Sequence, residues 1–562
     1  MDKTERKGNV DKKSIKSMDD LFEYIGNFGT YQKRFYFLVI LPAGICAMPT
    51  LSTVFMLADR LKRCKIPSLP NDTYASQGSW HDALINRNIP LSSDSNKTYD
   101  DCNMLMYSNT TGNMTSSTSS CSSWVYDDSV FQNTMPSEFD IVCDKVVYQS
   151  TASMVYMSGM FLGTLLFGSI GDIFGRKPAL CLAITTQFSA NVGIIFAPNY
   201  ITFVVLRFFA GVGNVGVFAQ AFIAGIEYVG KPKRVLAGSV IEVYWCAGEL
   251  VLAGIAYFLP NWRHIQIAIT CLIATTLSFW IIMPESIRWL FSTGRDKQAN
   301  EQLQRVAKVN KVSLPDNIKV EIEESSSSIL KPLKQLLKHP TMILRTGILS
   351  FSWFVCNIGY YGLTLNSGRI GGNIYVNYTV SVLMEVAAYL SCWFLVGRIG
   401  RRASFCSTML LGGVSCLCSI FTVEYASDDL SWTTIMLSSI GKFGVSAAFA
   451  IIYIFTPECY PTSLRSSTCA VCHFVGKIGA VVSPYIADLA LLVDSDMKVA
   501  LPLIVFGAAM IASGILAFAL PETLGKNLPE TIQEAAYMKK KNKDRGESYE
   551  LPEKYTPIKE KF

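Results

Sequence analysis

Charge is what this sequence has least of. Only 17% of its 562 residues are Asp, Glu, Lys or Arg, while half are hydrophobic and the mean hydropathy is +0.29. A soluble chain of this length needs more polar surface, so the composition excludes a soluble globular protein and implies an integral membrane protein. Histidine is scarce, with four in the chain. No His/Asp/Ser constellation and no cluster of metal ligands stands out, so neither an enzyme nor a metal centre is expected. A cleavable signal peptide is not expected: the segment 1–34 is charged, and the apolar run behind it is too long for an h-region. The net charge of +6 is split into short basic clusters between apolar runs, which offers nucleic acid no surface.

Two short patterns invite chemistry and are discounted. CAVCH at 469–473 has haem-attachment spacing but lies inside an apolar span. GVGNVG at 211–216 has dinucleotide-loop spacing, but no strand precedes it, and small residues in a membrane helix serve close packing.

What is present is about twelve apolar spans, each about 20 residues and so helical. They run over 35–57, 151–171, 179–197, 202–226, 235–258, 265–283, 342–365, 375–396, 403–424, 432–456, 466–490 and 500–520. The clusters Arg176–Lys177, Lys231–Lys233–Arg234, Arg398–Arg401–Arg402 and Arg465 fall on one side, together with both termini, which places the termini in the cytoplasm. The chain divides into a cytoplasmic N-terminus (1–34), a six-span half (35–283), a charged cytoplasmic linker (284–341), a second six-span half (342–520) and a cytoplasmic tail (521–562). Short helices are expected over LFEYIGNF at 21–28 and DKQANEQLQRVAKV at 296–309.

The connection 58–150 is too long for a mere turn and is expected outside. It carries sequons at Asn71, Asn96, Asn109 and Asn113, hence expected glycosylation. It also carries Cys64, Cys102, Cys121 and Cys143, an even count that implies two disulfides with three pairings open.

Three signals recur at nearly one spacing. GSIGDIFGRK (168–177) returns as WFLVGRIGRR (393–402). Glu227 with Arg234 returns as Glu458 with Arg465, and PESIRWL (284–290) returns as PETLGKN (521–527). Two related six-helix halves follow, the organisation of alternating-access carriers with a solute site between the halves. Asp172 is placed at a helix terminus, with Arg176 and Lys177 able to pair across the cytoplasmic mouth and latch one conformation.

Ionisable residues inside spans are costly and mark function unless they pair with each other. Lys477 lies roughly 18 Å deeper than Arg465, with His473 one turn before it. Glu242 and Glu249 are seven apart on one helix face. Glu385 and Lys442 sit deep in spans eight and ten, and pairing of either lysine with a glutamate, Lys477 with Glu385 included, is open. Coupling to Na+ or H+ through the span-five carboxylates is also open, and no other cofactor is expected. Trp353, Tyr360, Tyr361, Phe218, Phe222, Tyr244 and Trp245 could face a cationic solute through cation–π contacts, although helix packing alone explains any single aromatic.

GSIGDIFGRK resembles the loop motif of the major facilitator superfamily, and PESIRWL and PETLGKN resemble motifs of its sugar porters and organic ion transporters. The large first loop, with WVYD at 124–127 and EFDIVCD at 138–144, is similar to that of the organic cation/anion/carnitine transporter family. GKFGVSAAFAIIYIFTPECYPT (441–462) and NIYVNYTVSVLMEVAAY (373–389) look like its carnitine and zwitterion branch. The resemblance covers essentially the whole chain. It implies an all-α membrane protein with twelve helices in two pseudo-repeated halves, located in the plasma membrane and carrying small organic ions by alternating access. Carnitine-like zwitterions come first, with organic cations or anions as alternatives and a non-transporting sensor or receptor as a reading of another class. It also implies that Trp353 and Tyr360 line the cavity. Lys477 stands where the family is acidic for cations and basic for anions and carnitine. Lys477 would hold a carboxylate, and the aromatics with Glu242 or Glu385 an ammonium. Gly397 stands where the second loop motif usually has Asp, so a weaker second latch is expected. Ile287 replaces the usual Pro of PESPRWL.

Overall fold

A computed structural model describes residues 18–67, 69–92, 99–110, 113–230, 233–314, 318, 339–425, 432–489, 500–526 and 529–536. Its described residues contain twelve helical stretches long and apolar enough to cross a membrane. The short amphipathic helix α1 (Met18–Ile25) precedes the first span, which is built of α2 (Thr30–Val39), α3 (Leu41–Leu51) and α4 (Thr53–Met56). The breaks at Ile40 and Ser52 have proline causes: Pro42 lies in the first turn of α3, and Pro49 inside it removes a backbone donor.

Among its described residues, the loop that follows carries α5 (Ser79–Asn88), α6 (Met135–Glu138) and four strands. Strands β1 (Lys62–Cys64) and β4 (Trp124–Tyr126) pair antiparallel, as do β2 (Asn103–Thr110) and β3 (Asn113–Ser120). Of the three pairings open to its cysteines, the structure has Cys64–Cys121 and Cys102–Cys143, with Cα atoms 5.7 and 5.8 Å apart. Glu138 anchors the loop to the first half. It accepts from Asn133 and Trp262 at 2.7 Å each and pairs with Arg263. Burial opposes its charge, yet the hydrogen bonds from Arg263, Trp262 and Asn133 outweigh burial and hold its carboxyl below the usual range.

The remaining spans of the first half are α7 (Val147–Phe174), α8 (Arg176–Ile195), α9 (Tyr200–Glu227), α10 (Arg234–Phe258) and α11 (Trp262–Thr276) with α12 (Phe279–Ile282). Asn199 and Asn261 start α9 and α11 by accepting from Thr202 and Arg263 backbone N–H groups. Small residues bring α7 and α9 together: a Cβ on Gly211 of the GVGNVG run would collide with the Tyr156 carbonyl.

The linker contributes α13 (Ile287–Ser292) and α14 (Asp296–Asn310). Asn310 binds the start of the first span, accepting from Tyr31 N at 2.9 Å and donating to Gln32 Oε1 at 2.8 Å. The second half comprises α15 (Pro340–Asn366), α16 (Ile374–Arg398), α17 (Arg401–Tyr425), α18 (Trp432–Glu458), α19 (Thr462–Ala487) and α20 (Ala500–Leu516), followed by α21 (Ile532–Ala536).

The two halves turn alike. Gly175 between α7 and α8 has φ +110°, and Gly400 between α16 and α17 has φ +101°. At each a Cβ would strike a carboxylate, Glu285 or Glu522, so glycine is required twice over.

Candidate functional site

At the linker-facing end those two carboxylates explain the PES and PET motifs. Glu285 accepts the backbone N–H groups of Arg176 (2.7 Å) and Lys177 (3.2 Å), at the N-terminus of α8. Glu522 does the same for Arg401 (2.8 Å) and Arg402 (3.2 Å), at the N-terminus of α17. An anion there meets unpaired amides and the positive end of the helix dipole. The arginine side chains then reach back. Arg176 donates to Glu227 Oε1 at 3.1 Å and to Asp172 Oδ1 at 2.8 Å, and Arg401 donates to Glu458 Oε1 at 3.1 Å.

In this conformation these pairs do not cross the mouth. Arg176 is held inside its own half, and Lys177 contributes its backbone. Arg234 and Arg465 donate to the carbonyls of Val229 and Tyr460, both at 3.3 Å. The missing Asp at Gly397 leaves the Arg401–Glu458 pair in place.

At the other end, hydrogen bonds join the halves. The Ser150 hydroxyl of α7 donates to Asp488, at the end of α19, and Asp488 pairs with Arg369 at 2.7 Å. Thr151 and Tyr485 hydroxyls meet at 3.0 Å. Phe55 packs on Tyr378 at 5.0 Å between centroids.

Between the ends lies a buried charged cluster. Lys442 Nζ is 2.9 Å from Glu385 Oε2, donates to Thr364 Oγ1 at 2.7 Å, and sits 3.3 Å from the centroid of the Tyr360 ring. Glu385 Oε1 accepts from Tyr389 at 2.9 Å and lies 2.7 Å from the Tyr360 hydroxyl. That hydroxyl also meets Glu249 Oε1 of the first half at 3.1 Å. The question left open in the sequence is answered here: Glu385 pairs with Lys442 and not with Lys477.

Lys477 is half-buried, and no carboxylate among the described residues lies within ion-pair distance of it. One turn before it, the His473 ring lies 4.0 Å from that of Trp353. Trp353 is fixed by donating to Thr456 Oγ1 at 2.9 Å. From Trp353 the rings continue to Tyr453 (4.6 Å) and Phe449 (5.8 Å), then from Phe449 to Tyr360 (5.5 Å). Glu242 is half-buried, pairs with no cation among the described residues, and lies two turns before Glu249 on the same face of α10. Phe218 and Phe222 stack at 6.4 Å within the first half, and Phe218 meets Trp245 at 5.4 Å. Trp245 Nε1 donates to Glu249 at 2.6 Å and reaches Tyr360 at 2.8 Å, linking these rings to the wall.

Sequence reasoning missed Phe449 and Tyr453. The signal was there: Lys442, Phe449, Tyr453 and Thr456 recur at intervals of seven, four and three on one face of α18. It also missed Glu285 and Glu522, which sit in motifs it quoted. Of the sequons, Asn71 is exposed, Asn109 and Asn113 lie on the β2–β3 hairpin, and Asn96 lies outside the described residues, as does SSSS at 325–328.

Residues 96–535 match the family model described as "Sugar (and other) transporter". An organic cation transporter protein of Drosophila melanogaster is 33% identical over 552 residues, covering 93% of this chain and 95% of that one. Human organic cation/carnitine transporter 2 is 29% identical, with 93% and 95% covered, and human solute carrier family 22 member 2 is 30% identical, with 94% and 97% covered. Among solved structures, the xylose transporter XylE from E. coli in a partially occluded inward-open conformation is similar at TM-score 0.57 and 14% identity. That match covers 89% of this chain and all of the other, and the shared architecture is the major facilitator fold. The chain therefore belongs to the sugar (and other) transporter family of the major facilitator superfamily, in its organic cation transporter group.

Proposed function

We propose that this protein carries small organic zwitterions of the carnitine class across the plasma membrane by alternating access, with both termini in the cytoplasm. The observation that carries the reading is the pairing pattern of the membrane charges. Lys442 and Glu385 consume each other. Near the aromatic wall of Trp353, Phe449 and Tyr453, two partly exposed charges have no oppositely charged partner among the described residues: Lys477, one turn after the His473 that packs on Trp353, and Glu242, on the α10 face that meets Tyr360 through Trp245 and Glu249. A solute with a carboxylate and a quaternary ammonium complements that arrangement. Its carboxylate goes to Lys477, and its ammonium to the ring faces and Glu242, at about 0.5–2 kcal/mol per cation–π contact.

The carrier motion has supports at both ends. The arginine–glutamate pairs near Gly175 and Gly400 keep each half rigid. The Ser150–Asp488 and Thr151–Tyr485 bonds close the loop-facing end and must break when the halves rock.

The second reading, a carrier of simple organic cations, is favoured by Glu242 and the aromatic wall without Lys477. Uptake of labelled L-carnitine, a model cation and a model anion, in sodium and in sodium-free medium, separates these readings. Carnitine should show saturable uptake. No saturable uptake of any of the three, with the protein confirmed at the cell surface, overturns the carrier reading and returns the sensor.

A further inference from the structure

The cluster at the interface between the halves has more acid than base. Glu249, Glu385 and Lys442 are each at most 1% exposed, and Tyr360 between them is 4% exposed. Two carboxylates against one ammonium leave a net negative charge where water cannot reach, which is strongly unfavourable in a membrane interior.

Counting hydrogens locates the imbalance. The Tyr360 hydroxyl owns one hydrogen but faces two carboxyl oxygens, Glu385 Oε1 at 2.7 Å and Glu249 Oε1 at 3.1 Å. Trp245 Nε1, 2.8 Å from that hydroxyl, can only donate. With both acids ionised, one of the two oxygen–oxygen contacts would set lone pair against lone pair. Glu385 is the ionised partner, because it holds Lys442 on Oε2 and receives Tyr389 on Oε1. Glu249 has no cation within ion-pair distance among the described residues, and its Oε2 has no partner there.

We propose that Glu249 is a proton-binding site, occupied in this conformation. Its carboxyl O–H donates to the Tyr360 oxygen, and the Tyr360 hydrogen goes to Glu385. The titratable groups that face Glu249 are Cys246 on its own helix, Tyr360 and Tyr361 on α15, Tyr378 and Glu385 on α16, and Lys442 on α18. Lys442 alone among these carries positive charge, and Glu385 already holds it.

The proton also ties the halves, since Glu249 belongs to α10 and Tyr360 to α15. When they part at this level, Glu249 loses Tyr360 and releases its proton to entering water. Closure takes the proton back, with Lys442 and Glu385 unchanged. This role in transport rests on the carrier reading, whereas the proton itself can be tested without any solute.

Infrared difference spectra of detergent-purified wild-type protein and the Glu249→Gln variant, recorded at neutral pH in potassium chloride, supply that test. The introduced side-chain amide can donate to Tyr360 as the acid does, so the fold is kept. The expected difference is the band of one protonated carboxyl present in the wild type and lost in the variant. A carboxylate band in its place overturns the proposal, as does a protonated band that sodium chloride converts to carboxylate, which would make the site one for Na+. In proteoliposomes, an inward-directed pH gradient should raise wild-type uptake of labelled L-carnitine at least about threefold, and Glu249→Gln should erase that response. An equal response in both overturns the role in transport. Absence of carnitine uptake with the protonated band present overturns the choice of solute and leaves the proton site standing.

Discussion

Lys442 and Lys477 sit in consecutive membrane helices of the same half, and from composition alone they are alike: each is a lone ammonium in an apolar span. The fold separates them. Lys442 is 1% exposed and spends its donors on Glu385, Thr364 and the Tyr360 carbonyl. Lys477 is half-buried, one turn after the His473 that packs on Trp353, with no acid at hand among the described residues. A charge that is enclosed and paired belongs to the architecture, and one that is partly open and unpaired is available to a solute.

The largest effect expected from breaking this contrast is on Lys442. Lys442→Met strands the Glu385 carboxylate in a buried site, a loss of about 3–5 kcal/mol. The measurement is the melting temperature of detergent-solubilised protein by size exclusion. Adding Glu385→Gln to the same chain should recover most of the loss, and a single variant as stable as the wild type would show that the pair is dispensable. Next comes Lys477→Ala. It should leave the melting temperature close to wild type but cut uptake of carboxylate-bearing solutes at least about thirtyfold, the size of losing about 2 kcal/mol or more of a desolvated charge pair. Uptake of a simple cation should survive. Equal loss for both solutes would place Lys477 with Lys442 as an architectural charge.

Smaller effects belong to the wall. Tyr453→Leu and Phe449→Leu should each weaken half-saturation for ammonium solutes by about threefold to thirtyfold, from one cation–π contact. A matched loss for solutes without an ammonium would reduce these rings to packing. The smallest effect is expected at Asp172, whose side chain is 76% exposed in its pair with Arg176. An ion pair so exposed contributes about 0–1 kcal/mol, so Asp172→Asn should change the uptake rate less than about fivefold. The more enclosed Arg176→Gln should do more, because it also releases Glu227. Finding Asp172→Asn as damaging as Arg176→Gln would break the rule that enclosure decides the worth of a charge here.

Much of the scaffold was legible because it depends on short-range patterns. Span length, the two-fold recurrence of the loop, Glu/Arg and PES/PET motifs, and the helix over 296–309 are all properties of neighbouring residues. The turn geometry follows the same recurrence, since Gly175 and Gly400 with the carboxylates Glu285 and Glu522 keep the spacing of the repeat, but the contact between glycine and carboxylate became visible only in the fold. Less legible was the use made of each charge. Glu227 and Arg234 recur together, yet Glu227 pairs with Arg176, at the start of a different helix. Such partners are set by which helices pack, and periodicity within one helix carries no record of that. Phe449 and Tyr453 could have been found from their spacing with Lys442, but spacing alone fits packing equally well.

The sequence by itself determined that the chain is a membrane protein of twelve spans in two related halves. Apolar run length and motif recurrence are local quantities, and the bilayer leaves few other ways to satisfy the backbone. The tertiary structure decided which lysine is occupied and which is free, which cysteines pair, and that one tyrosine hydroxyl stands between two acids from different halves. Those facts depend on distances between residues far apart in the chain, and only packing fixes such distances.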